Sequence, residues 1–372
     1  MKRIRLNPLK LYPQDTPTVR HCPRCHSLRV HHHGWRWRPI RDWTYPSVRL
    51  LRLRCAACGA TWTVYPEGVM PGSRFSLRAE QLMVLLYVLG LSYRATAAVM
   101  SGLGVRVAPS TVLNFVQAQG VREELYRQRR HWQGRVKVRR IGIDGTGVPM
   151  AGDQQDPGVV VVVDEATGVG LWVEAVDEQD TQALAQMLEQ VLTTFEPEEV
   201  ITDEGSAYPA ALERATAHSK RVPQHRLCTA HFRRNKVGRL RRLRRTAQKR
   251  GWGLVVMELR ALEALLKRSP PEVWGDFARR LLRLVQKARP PTPGQRASWY
   301  YRLRMLLLEM SEKAPQVSGV TNNRTEQLIG RSFKIRTQSM RGFKRRDNRM
   351  RFLQLALAVD ERAQREGCLY LI

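Results

Sequence analysis

The stretch Arg139–Met150 reads RRIGIDGTGVPM, and the reading of the whole chain turns on it. Two arginines close a very basic region. Apolar residues follow, then Asp144 at the edge of a glycine-rich turn, and no Lys or Arg recurs until Arg214. From Lys137 the pattern becomes that of β-strands, with VRRIGIDG as the first. GVVVVVDEATG is the second strand and GVGLWVEAV the third, joined by an Asp-Glu-Ala-Thr-Gly turn. TQALAQMLEQVLTTF has amphipathic helical spacing, and EEVITDEGSAY holds a further short strand. The order β-β-β-α-β is an antiparallel meander followed by a crossover, which allows the fourth strand to lie parallel to the first.

Charge sets this segment apart. The chain has 372 residues and a formal net charge of +30. Ile141–Leu212 carries 15 Asp and Glu and no Lys or Arg, so it is −15 and the rest is +45. The basic remainder calls for a polyanion such as nucleic acid, and a merely solvated cationic surface would not be so uneven. An acidic core inside such a protein needs cations to reconcile the two. No apolar run approaches 18 residues, and MKRIRLNPLK has no apolar signal region behind it. The expected location is cytoplasmic, associated with the nucleoid, with no membrane partner.

Asp144 ends the first strand and Asp203 the fourth. If those strands are parallel neighbours, both carboxylates emerge at one sheet edge. Such a pair does not ionise comfortably without a cation between its members. Mg²⁺, or Mn²⁺ in its place, takes oxygen ligands and keeps positions open for phosphate. Two such ions roughly 3.5–4 Å apart can activate an attacking oxygen and stabilise a leaving one. A third carboxylate should come from a helix packed on that edge, and Glu326 is the candidate. It follows an Asn-rich turn in which Asn323-x-x-Glu326 has capping-box spacing, and its helix carries Arg331 and Lys334. Alone, Asp144 reads as a turn aspartate and Glu326 as a capping glutamate; their joint weight comes from the strand order.

Cys22-x-x-Cys25 and Cys55-x-x-Cys58 are two knuckles whose four thiolates suit a closed, structural, tetrahedral Zn²⁺. His21, His26 and His31–His33 are adjacent but less regular alternatives. Cys228-x-x-His231 cannot complete a zinc site by itself. It reads either as a buried packing pair or as an accessory to the carboxylates, since it follows Asp203 closely. Residues 1–75 thus predict a zinc ribbon, with Val48–Arg54 as a short strand. Residues 76–134 predict helices around a Gly-containing turn, as in a DNA-binding helix-turn-helix, with Ser76 and Ser110 as N-caps. The acidic core opens over 135–212. A basic helical insertion follows over 213–320, with Trp252, Trp274 and Trp299 as core or cap residues or, alternatively, as an aromatic that stacks on an extruded base at a DNA end, and 321–372 closes the core with the Glu-bearing helix and a last amphipathic helix.

GIDGTGVP, VITDEGSAY, LCTAHFRRN and TNNRTEQLIGRSFKIRTQSMRGF together resemble the DDE transposases of bacterial insertion sequences. The Cys-x-x-His pair before a long helical stretch is similar to the Mutator-like branch. The front end and the RGF after the glutamate helix are closer to another insertion-sequence family. The resemblance implies an α/β ribonuclease H-like catalytic core with an α-helical insertion, preceded by a zinc ribbon and a helix-turn-helix domain. It implies a metal-binding triad of Asp144, Asp203 and Glu326, with Cys228 and His231 as the accessory pair. Its substrate would be double-stranded DNA, both element ends and target, bound by at least a homodimer. Arg233, Arg234, Arg331 and Lys334 would hold the DNA backbone. An inactive zinc-ribbon/helix-turn-helix regulator and a structure-specific nuclease of the same fold are the alternatives.

Overall fold

The fold is that of a computed structural model, which describes residues 3–13, 21–132, 136–152, 158–205, 207–217, 219, 221–288, 298–317, 319, 321–338 and 342–371. The chain divides into two compact units. One comprises Met1–Arg129, Pro149–Gly152 and Arg331–Ile372; the other comprises Arg130–Val148 and Asp153–Gly330. No helix among the described residues is long and apolar enough to cross a membrane.

The first unit opens with β1 (Arg3–Ile4) and a three-stranded antiparallel sheet of β2 (Val30–Pro39), β3 (Ser47–Cys55) and β4 (Thr61–Val64). On β3, Val48 and Leu50 are buried in one small cluster and Leu51 and Leu53 in another, while Arg52 and Arg54 stay exposed. Three helices follow: α1 (Leu77–Val88), α2 (Tyr93–Gly102) and α3 (Pro109–Trp132). Ser76 caps α1 by accepting the N–H of Ala79, and Ser92 caps α2 through Ala95. The expected cap at Ser110 is displaced, because Pro109 already occupies the first helical position. Its fixed φ and missing N–H cost nothing there. The turn from α2 into α3 contains Gly104 at φ +82°, and α3 runs for 24 residues.

The second unit is built on a five-stranded sheet of β5 (Arg140–Thr146), β6 (Val159–Asp164), β7 (Gly170–Glu174), β8 (Glu199–Thr202) and β9 (Gln224–Leu227), in the order β7-β6-β5-β8-β9. β5, β6 and β7 pair antiparallel, and β8 lies parallel to β5. Between β7 and β8 runs α4 (Thr181–Phe195), whose N-cap Asp180 accepts the N–H groups of Gln182 and Ala183. Its Leu184, Met187, Leu188, Val191 and Phe195 pack with Ile141, Ile143, Val160 and Val162 into one core. Each fully buried aliphatic side chain contributes about 2 kcal/mol. The helix α5 (Ala207–Thr216) covers the same face through Tyr208, Ala211 and Leu212. Alternation along β5 therefore turns Gly142 and Asp144 to the opposite face.

The helix α5 runs across the start of the stretch expected to be helical insertion and the strand β9 lies within it, so the sheet extends further than that boundary. Gln224, His225 and Arg226 show no apolar alternation because β9 is the last strand of the sheet, paired along its length with β8 and bridged only at Leu227 to Val317 among the described residues. The basic helices begin at Thr229: α6 (Thr229–Lys249), α7 (Gly253–Arg268), α8 (Pro271–Ala288) and α9 (Trp299–Lys313). Leu240, Leu262, Leu266, Trp274, Leu306 and Leu307 form their separate core. Trp274 is fully buried, and Trp299 donates its indole N–H to Leu243 O at 2.9 Å. Trp252 stands at the N-cap of α7. The helix α10 (Asn323–Leu328) packs on β5 and β6 and runs on as a π-helical stretch, Ile329–Lys334.

The chain then returns to the first unit through α11 (Ile335–Thr337), α12 (Arg346–Glu366) and β10 (Cys368–Leu369), which pairs parallel with β1. Of 321–372, expected to complete the acidic core, the stretch to Gly330 lies in the second unit and the remainder in the first. The reason is burial: Phe352, Leu353, Leu355, Ala356 and Leu357 of α12 are enclosed by the N-terminal helices. Phe352 meets Tyr87 edge-on at 5.9 Å. A Cβ on Gly120 of α3 would stand 2.8 Å from Arg351 Cβ. Arg362 makes a buried bidentate pair with Glu123 at 2.8 and 2.5 Å.

Candidate metal centres

The two cysteine knuckles are near-copies. The N–H of His26 donates to Cys22 O (2.9 Å), and the N–H of Gly59 donates to Cys55 O (3.0 Å). The N–H of Cys22 donates to Ser27 O (3.0 Å), and that of Cys55 to Ala60 O (2.9 Å). The residue after the second cysteine is left-handed in both, His26 at φ 55° and Gly59 at φ 71°. All four sulfurs lie within 4.8 Å of one another. Cys22 and Cys58 are 3.7 Å apart, and Cys25 and Cys55 are 3.6 Å apart. Tetrahedral zinc with Zn–S near 2.3 Å demands sulfurs about 3.8 Å apart. The backbone N–H of Cys58 is the main cause holding the Cys55 thiol down at about 7, which favours the thiolate a metal needs. This four-cysteine group could hold a metal ion such as zinc. His31–His33 are exposed on β2 and stand outside it.

The carboxylates meet on the other unit. Gly142 pairs with Ile201 across the parallel β5–β8 contact. Asp144 and Asp203 each stand two residues further, so register and parity bring both to the same edge and face. α10 supplies Glu326 from above. Ligand atoms of Asp144, His231 and Glu326 lie within 4.8 Å of one another and could hold a metal ion. Asp203 stands outside that group, its Oδ1 accepting the N–H of Gly205 at 2.8 Å. Of the expected triad, two members are gathered, and His231 occupies the third place. His231 Nε2 is 2.9 Å and Arg234 Nη2 3.0 Å from the same oxygen of Glu326.

Charge accounts for this arrangement. Burial pushes the Asp144 carboxyl up to about 6, and the charges of Glu178, Asp203 and Glu326 push the same way. His231 opposes them, itself raised to about 9, first by the Cys228 sulfur and then by Asp144 and Glu326. Burial would raise Cys228, but His231 and the N–H of Asn322 (3.1 Å) outweigh it, and the thiol ends below its usual value. An imidazolium among carboxylates is attracted where a further carboxylate is repelled. His231 thus stands among the carboxylates, and Cys228, buried behind it, is tied to them through His231.

Glu178 escaped the sequence reading, since it is one of four acids between Glu174 and Asp180. Its carboxylate fills the space where a Cβ on Gly145 would stand, and it accepts the hydroxyl of Tyr208. Burial raises it as well. Gly142 is likewise demanded by its surroundings, because a Cβ there would collide with Asn322 Oδ1 and Glu165 Oε1. Asn322 donates to Ile143 O at 3.0 Å, and the Thr325 hydroxyl reaches Asn322 Oδ1 (2.6 Å) and Glu165 Oε1 (3.0 Å). This buried net, not a capping box, seats α10: Asn322 makes no side-chain cap, and Glu326 faces His231. Burial drives Glu165 up to about 7.

The four arginine and lysine candidates separate. Arg234 is at the cluster. Arg233 stacks its guanidinium 5.3 Å from the Trp274 ring centre. Lys334 is exposed. Arg331 is held by both oxygens of Asp360 at 2.6 and 2.8 Å, inside the first unit's own packing. Its position on α10's extension led to a backbone-contact expectation that this ion pair does not favour. A scan against protein-family models gives no match for this chain, and a search of curated proteins gives none.

Proposed function

We propose that the chain is a DNA transposase with a ribonuclease H-like catalytic core, acting with Mg²⁺ or Mn²⁺ on the terminal inverted repeats of its element. The observation that carries this reading is the meeting of Asp144 and Glu326, with Asp203 in register beside them, on one edge of a sheet whose first and fourth strands are parallel. The donor set fits a hard divalent ion: oxygen ligands crowd one another, and Asp144 is held at about 6 by burial and by its acidic neighbours. Such an ion supplies Lewis-acid activation of a phosphodiester and of its attacking oxygen.

Asp144 and Glu326 would hold the ion, with Asp203 and Glu178 completing the anionic rim. Arg234, exposed beside Glu326, would receive backbone phosphate. Hydrolysis of one phosphodiester frees a 3′-OH. That oxygen then replaces the leaving oxygen of a target phosphodiester, so the number of P–O bonds is conserved. The zinc ribbon and the helices over 77–132 would bind the element ends as a homodimer or larger assembly, in the cytoplasm on the nucleoid.

The test incubates the protein with its element's end and Mg²⁺ or Mn²⁺, scoring cleavage and joining. Asp144→Asn should abolish both while leaving end binding intact. Wild-type activity in Asp144→Asn defeats the reading. Binding without reaction would point to a regulator, and cutting without joining to a nuclease.

A further inference from the structure

The arginines of α6 fall into two groups that the charge count alone does not separate. Arg241 and Arg244 share the buried carboxylate of Glu263 at 2.9 and 3.1 Å. Arg239 pairs with Glu309. Arg242 and Arg250 meet no carboxylate among the described residues, nor does Arg302 of α9. All of Arg239, Arg242, Arg250 and Arg302 line one cavity of about 570 Å³ between α6 and α9. The positions 239, 242, 246 and 250 step by three, four and four, so they form one stripe of the helix. The neighbouring stripe, Leu240, Leu243 and Ala247, is buried in the helical core, with Leu243 also bordering the cavity.

The rest of the lining is apolar and aromatic. Tyr301 supplies a half-buried ring and Trp299 the 6 % of its surface left outside the helical core, with no acidic residue in the lining. Behind Trp299 stands Trp252, edge-on at 5.2 Å, and Arg250 lies over the Trp252 ring at 5.0 Å. Guanidinium groups without carboxylate partners select phosphate, for which their fork geometry is suited. An aromatic ring beside such cations can stack on a planar base. A cavity of this size accommodates a small organic molecule.

We propose that this cavity is a nucleotide site: Arg242, Arg250 and Arg302 bind phosphate, and the base lies against Tyr301 and Trp299. The nucleotide could be free or an unpaired residue of a DNA strand, and the site is independent of the carboxylate cluster.

The test uses the full chain in EDTA at about 150 mM salt, so that no cleavage intervenes. Fluorescence anisotropy follows a labelled single-stranded dT12, a labelled duplex of equal length, and competition by dTTP and by inorganic triphosphate. Arg242→Gln/Arg302→Gln should weaken single-strand binding at least tenfold, against less than threefold for Arg268→Gln/Arg280→Gln, exposed arginines outside the cavity lining. Tyr301→Ala should weaken single-strand binding while leaving inorganic triphosphate competition unchanged. Competition by dTTP supports a free nucleotide, and binding of the oligomer without dTTP competition supports a strand. Equal losses in the two double variants, equal losses for duplex and single strand, or no binding of either nucleotide probe would overturn the proposal.

Discussion

Four sulfurs separated by at most 36 positions form one centre, while the other draws its ligands from positions 144, 231 and 326, on β5, α6 and α10. The first is closed and uniform: soft ligands at tetrahedral spacing, held by two turns that repeat each other's hydrogen bonds. The second is open and mixed: carboxylates that repel one another, with an imidazolium and a guanidinium between them. The contrast teaches that a local motif can carry its own geometry, whereas a carboxylate site is a property of the sheet and of whatever holds a distant helix against it.

The sharpest break between the two is Asp144→Asn. Metal-dependent cleavage should fall on the order of 10³-fold, while zinc content by metal analysis stays at the wild-type level. Loss of zinc in that variant would mean the centres are not separate. Cys55→Ser is the converse. It should release zinc and open the β2–β4 sheet, since structural zinc contributes on the order of 10 kcal/mol to folding. Hydrogen exchange should accelerate over 22–64 and stay protected over 159–201.

Smaller effects probe what seats α10. Thr325→Val removes the hydroxyl linking Asn322 to Glu165. Divalent-metal affinity at the carboxylates should drop about tenfold, read by calorimetry, with the four-cysteine centre unaffected. Glu165→Gln tests the same net through pH. The folded carboxyl titrates at about 7 against an ordinary 4.5. The folded state therefore binds more protons between those values, and wild-type stability falls as pH rises through them. The Gln variant lacks that loss. It should match wild type near pH 4.5 and melt about 2 °C higher at pH 8. The smallest effect belongs to the knuckles: His26→Gly relieves a left-handed residue where the twin knuckle already has Gly59. It should stabilise the first unit by about 0.5–1 kcal/mol, read by denaturant unfolding.

The cysteine centre was legible because two Cys-x-x-Cys turns need only one antiparallel strand pair to meet. The β-β-β-α-β order was legible from apolar runs and a helix with a regular stripe. β9 was not, because an edge strand of Gln, His and Arg carries no such pattern. Glu178 and the Glu165–Thr325–Asn322 net were hidden for another reason. Their long-range hydrogen-bond partners lie between 30 and 179 positions away, and only the glycines at 142 and 145 record how closely they approach. The return of α12 to the first unit was equally unreadable, since an amphipathic helix specifies that it must be covered and not by what.

The sequence by itself therefore determined the acidic segment, its strand order, the thiolate quartet and the basic helices. These are local in period or composition. Tertiary structure alone decided that His231 stands with Asp144 and Glu326, that Arg331 is held by Asp360, and that Arg242, Arg250 and Arg302 face a cavity without a carboxylate. Like charges cannot share an edge without a counter-charge, and which residue supplies it depends on distances that the folded chain sets.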